Sequence, residues 1–113
     1  MAAPNEIKKR TLQQLRQTLL KMNSPAWVLA LRKKDDAVRR EAAMAMLRTQ
    51  EMRLDLENAI LADIRDRLVA NEKALQQGRA RLSNALDDLK KVRQVLNAVT
   101  SFLEIAARVV AVV

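Results

Sequence analysis

Leucine stands at every seventh position from Leu47 through Leu54, Leu61, Leu68, Leu75, Leu82, Leu89 and Leu96 to Leu103, and Val110 extends the series. A seven-residue apolar period is the pattern of helices that share a seam and supercoil left-handedly. Upstream, Leu12, Leu15, Leu19 and Met22 alternate three and four residues apart. They predict an amphipathic helix over 5–22, with Asn5 as N-cap and Glu6 in its first turn. Asn23-Ser24-Pro25 then breaks the pattern, because proline at the first helical position behind a serine cap starts a new helix.

From Pro25 to Gln77 nothing interrupts helical spacing. Asp35/Arg39, Asp36/Arg40, Arg53/Glu57 and Asp63/Arg67 add support of about a few tenths of a kcal/mol each. The apolar face changes along the way. Leu31, Val38, Ala45 and Met52 form one seven-spaced line and Leu47 onward another, roughly 200° round the helix. Gly78 is the sole glycine, and glycine suits the residue that ends a helix. Beyond it, Leu82, Leu89, Leu96, Leu103 and Val110 alternate with Ala85, Val92, Val99, Ala106 and Val113, while Val95, Phe102 and Val109 widen the stripe. A stripe that broad faces more than one neighbour.

Two layouts fit. The chain turns at Gly78, so that helices 5–22 and 80–113 together cover a central helix 25–76 in a rod of about 78 Å. Alternatively, the helix runs straight through Gly78, at a cost of about 1 kcal/mol, and self-associates. The folded-back form is favoured because the flanking helices match the central one in length. The expected fold is all-α: one domain, 1–113, forming an elongated antiparallel helical bundle or coiled-coil hairpin. Its thin core predicts an oligomer. Trp27 is expected to staple the first helix to the second. Asn71, on the seam's secondary position, is either a register-setting polar residue or an ordinary polar side chain near a tip.

Composition narrows the chemistry. Only Trp27 and Phe102 are aromatic among 113 residues, and one glycine and two prolines are too few for a strand-and-turn protein. Histidine and cysteine are absent, which removes disulfides, thiolates and the usual acid–base residue near neutral pH. The acidic pairs Asp35-Asp36, Asp63/Asp66 and Asp87-Asp88 each lie within a helical turn of a basic residue and read as solvated ion-pair partners. Neither an enzyme nor a cofactor or metal site is expected. The net charge is +8, and residues 1–50 hold eleven of the 21 basic residues but only four of the 13 acidic ones.

The function expected is therefore a non-catalytic helical assembly protein, such as an adaptor, chaperone-like or structural subunit. It would bind itself or a partner helix through Leu82, Leu89, Val92, Leu96, Val99, Phe102, Leu103 and Val110. The basic residues Lys8, Lys9, Arg10, Arg32, Lys33, Lys34, Arg39 and Arg40 would steer acidic partners. One alternative gives these residues to nucleic-acid phosphates, although no aromatic residues accompany them for base stacking. Another gives the apolar run 102–113 to a membrane, although Arg108 is its only basic residue. No secretory signal is visible, and Asn97, Glu104 and Arg108 interrupt the run Val95–Val113, so a cytoplasmic protein is expected.

Overall fold

Helix starts are marked by side chains that can satisfy, or dispense with, the first backbone N–H groups. In this computed structural model, which describes residues 2–110, α1 spans Pro4–Met22, α2 Pro25–Arg32, α3 Asp36–Asn58, α4 Leu61–Ala70, α5 Glu72–Leu86 and α6 Val92–Val110. No strand occurs among the described residues. Pro4 and Pro25 each open a helix, where the missing N–H costs nothing. The first helix thus begins one residue before the expected cap, and Asn5 only accepts from the Glu6 N–H at 3.0 Å. Ser24 Oγ accepts from the Trp27 N–H, and Asp35 Oδ1 accepts from the Val38 N–H at 3.0 Å.

The chain is cut more often than its apolar period implies. The expected central helix 25–76 is divided at 33–35, at 59–60 and at Asn71, and the chain reverses at 87–91, not at Gly78. Each break has a polar group that helix continuation would leave idle. Asp35 caps α3. Lys8 Nζ reaches from α1 to the Ala59 carbonyl at 2.9 Å. The Asn71 amide donates to the Arg67 carbonyl at 2.8 Å, and Asp88 Oδ1 accepts from the Lys90 N–H at 3.2 Å. Asn71, half-buried and bonded within its own helix, marks the α4–α5 junction. In place of a three-helix rod of about 78 Å stands a body of 44 × 26 × 18 Å.

Four corners surround one core: α1, α3, α6, and α4 with α5 sharing the fourth. α1 packs on α3, α4 and α5, and α6 packs on the same three from the other side. Glu41 near the start of α3 meets Arg93 near the start of α6, so these two helices run the same way. Phe102 and Ile105 of α6 lie over Gly78, so α5 and α6 form an antiparallel pair. A Cβ on Gly78 would come within 3.1 Å of Phe102 Cδ1 and 3.2 Å of Ile105 Cδ1. Glycine is therefore in mid-helix because α6 needs the space.

α6 supplies nine buried residues, Phe102 and Val95 among the most enclosed. α1 and α3 meet differently, with Thr11, Gln14 and Thr18 buried on one helix and Ala42, Ala45 and Thr49 on the other. The Thr11, Thr18 and Thr49 hydroxyls each donate to the carbonyl four residues earlier, at 2.7–2.8 Å. Burial therefore leaves these donors satisfied, and small side chains let the helices approach. Outside the core, Arg16 and Arg53 share Glu57, Arg93 holds both oxygens of Glu41, and Arg67 Nε donates to the Val109 carbonyl at 2.7 Å. That last bond satisfies a carbonyl in the final turn of α6.

Two outcomes follow. Gly78→Leu should lower stability by about 1–3 kcal/mol in a denaturant titration, because Phe102 has no room to retreat. Hydrogen bonds from Arg93 hold the Glu41 carboxyl below its ordinary value of 4.5. A lowered carboxylate pKa stabilises the fold above the ordinary value, and the effect is lost as pH falls through the lowered one. Glu41→Gln should thus be slightly less stable than the parent near neutral pH and indistinguishable from it well below pH 4.5, with the gap narrowing in high salt.

Candidate functional site: a lysine-rimmed apolar cleft

At one end of the molecule, α2 lies across the α5–α6 turn. The short helix is held by Trp27, which is 2% exposed and belongs to the core. At about 100° per residue, pinning Trp27 inward turns Leu29 roughly 200° away, toward solvent. Leu29 is accordingly 56% exposed and Val28 is exposed beside it. The turn contributes Leu86, Asp87, Asp88, Leu89 and Lys90, and between the two lies a cleft of about 600 Å³. Its apolar lining is Ala26, Leu29, Ala30, Leu86 and Leu89, and its rim carries Lys21, Lys33, Lys34 and Lys90.

The rim is basic on balance, with four lysines against Asp87 and Asp88. Asp88 already accepts from the turn's backbone. None of the four lysines forms an ion pair among the described residues. Their charge is open to an incoming anion, at the strength expected of exposed groups. The lining contains no hydroxyl, thiol or imidazole side chain, and its ionisable groups are the four lysine amines and the carboxylates of Asp87 and Asp88. No cluster of three or more metal-ligating side chains is found among the described residues.

The structure distributes the expected site residues unevenly. Leu82, Val92, Leu96, Val99, Phe102 and Leu103 are buried in the chain's own core, and Leu89 and Val110 are half-buried. Residues 111–113, the end of the apolar run, lie outside the described residues. Lys8 is engaged with Ala59, Arg10 lies 3.9 Å from Glu6, and Arg39 pairs with Asp36. Lys9, Arg32, Lys33, Lys34 and Arg40 are exposed. Lys8, Lys9 and Arg10 occupy the first half of α1, whereas Arg32, Lys33 and Lys34 follow its far end, so the two basic clusters do not merge.

The cleft joins Lys33 and Lys34 to Leu89, three residues from the two expected sets. Sequence reasoning missed Lys21, Leu29, Leu86 and the turn. The available signal was Lys33-Lys34-Asp35-Asp36, since basic residues followed by acidic ones match the end of one helix dipole and the start of the next.

A second groove of about 620 Å³ runs between α3 and α6, lined among others by Met44, Arg48, Glu51, Asp55 and Glu104. Its lining mixes apolar side chains with charges of both signs, the acidic ones outnumbering Arg48. Among the described residues no helix is long and apolar enough to cross a membrane. Compared with known proteins, the chain matches no family model, no curated protein and no solved structure.

An anionic naphthalene-sulfonate dye should bind the native protein through this cleft. Leu29→Asp should abolish the fluorescence gain while changing stability by no more than about 0.5 kcal/mol, as for an exposed position.

Proposed function

We propose that this chain is a non-catalytic helical interaction protein that docks an acidic amphipathic helix of a protein partner in the α2 cleft. The observation that carries the reading is the pairing of exposed Leu29 with four lysines, none of them in an ion pair among the described residues and together outnumbering the two rim aspartates. An apolar ridge at i, i+3 or i+4 and i+7 would seat on Leu29, Ala30 and Leu89, and glutamates flanking it would face Lys21, Lys33, Lys34 and Lys90. Rim charges act chiefly on encounter rate and partner choice, the seated apolar side chains on lifetime.

A concave site suits a helix ridge better than a flat bilayer. For nucleic acid, Trp27 and Phe102 are both buried and offer no ring to stack on. The assembly role thus rests on surfaces left outside the core; most of the leucine seam is occupied within the chain.

A synthetic helical peptide with a leucine ridge and glutamate flanks tests this, with the fluorescence anisotropy of a dye on the peptide as the readout. Binding should weaken about tenfold or more in a Lys33→Glu/Lys34→Glu variant and fall steeply with salt. A peptide with lysine flanks should not bind. Binding to anionic vesicles or to duplex RNA, with none to the acidic peptide, would overturn the reading.

A further inference from the structure

The core leaves one part of the leucine series outside. Leu47 and Leu54 on α3 are 46% and 47% exposed, and Met44 beside them is 46% exposed. Seven residues fall about 20° short of two full turns, so Leu47 and Leu54 lie on one line of the helix. Arg48 and Asp55 follow one residue later in each case, on one flank of that line. In a single helix these two charges are about 10 Å apart along the axis and cannot pair with each other. Neither forms an ion pair among the described residues.

We infer that α3 pairs antiparallel with α3 of a second copy of this chain, about a two-fold axis near Glu51. An isologous contact requires one patch to complement itself. The α3 face does so twice over. Reversing the helix places Leu47 against Leu54 of the second copy, and Leu54 against its Leu47. In antiparallel helix pairs the same flank meets itself, so Arg48 meets Asp55 of the second copy and Asp55 meets its Arg48. Glu51, midway between them, faces its own counterpart, which limits the strength of the pair. This contact is on a different helix from the α2 cleft and does not depend on it.

The test is the mass of the full-length chain by sedimentation, across concentration, for the parent and single variants. The parent should be a dimer in reversible equilibrium. Arg48→Asp alone and Asp55→Arg alone should each weaken association about tenfold or more, since each places like charges opposite one another twice. An equimolar mixture of the two variants should restore association as a heterodimer, because every flank contact then joins opposite charges. Glu51→Gln should tighten the dimer. Circular dichroism and thermal melting confirm that each variant is folded, and Lys33→Glu/Lys34→Glu should dimerise like the parent. A parent that stays monomeric at millimolar concentration, or folded variants whose mixture shows no recovery, would overturn the inference.

Discussion

α6 has an apolar face too broad for any single neighbour to cover, and the rest of the chain is arranged to remove it from water. Val92, Val95, Leu96, Val99, Phe102, Leu103 and Val109 are all buried, each at about 1.5–3 kcal/mol relative to exposure. α3, α4 and α5 all pack on this helix. Two local features follow from that demand. Gly78 lacks a side chain where Phe102 and Ile105 press on α5, and Arg67 reaches from α4 to the Val109 carbonyl near the end of α6. α1 closes the opposite side of the bundle with Ile7, Leu12, Leu15 and Met22, interspersed with Thr11 and Thr18, whose hydroxyls are bonded to their own helix.

Enclosing α6 determines what remains on the surface. The apolar seam is mostly consumed within one chain, and the large apolar side chains left at the surface include those of elements the core does not fill. α2 is one such element. It is eight residues long, pinned by Trp27, and shows Leu29 among lysines. α3 is the other: its inner face is largely alanine and threonine, and it turns leucines at seven-residue spacing outward. The two surfaces differ in charge. The α2 cleft is basic on balance, whereas the α3 face carries both signs in an order that reverses onto itself. The structure thus leaves two exposed apolar surfaces of different charge, one on α2 and one on α3.

Helix was legible throughout, because a chain of leucine, alanine and charged residues with one glycine has no competing local preference. The break at Ser24-Pro25 was equally plain, since capping and proline chemistry are local. The remaining breaks were not. At Ala59 no side chain of the flanking residues caps either helix; the carbonyl is bonded by Lys8, 51 residues away. At Asn71 and Asp88 the polar groups were visible, but Asn71 read as a polar residue on the seam or near a tip and Asp88 as a solvated ion-pair partner. Lys33 and Lys34 were recognised as open to anions, yet their apolar companions Leu29 and Leu86 could only be assigned once the turn at 87–91 brought the α5–α6 hairpin beneath α2.

The amino-acid order alone determined that the chain is helical, that its strongest apolar stripe lies in the last third, and that its first half is the more basic. Those are properties of neighbouring residues and their spacing. Tertiary structure alone decided that the leucine series splits into a buried part and an exposed part. A period of seven specifies which residues share a side of a helix, but not whether that side meets the same chain, another chain or water. That choice is made by which arrangement of segments encloses α6 most completely.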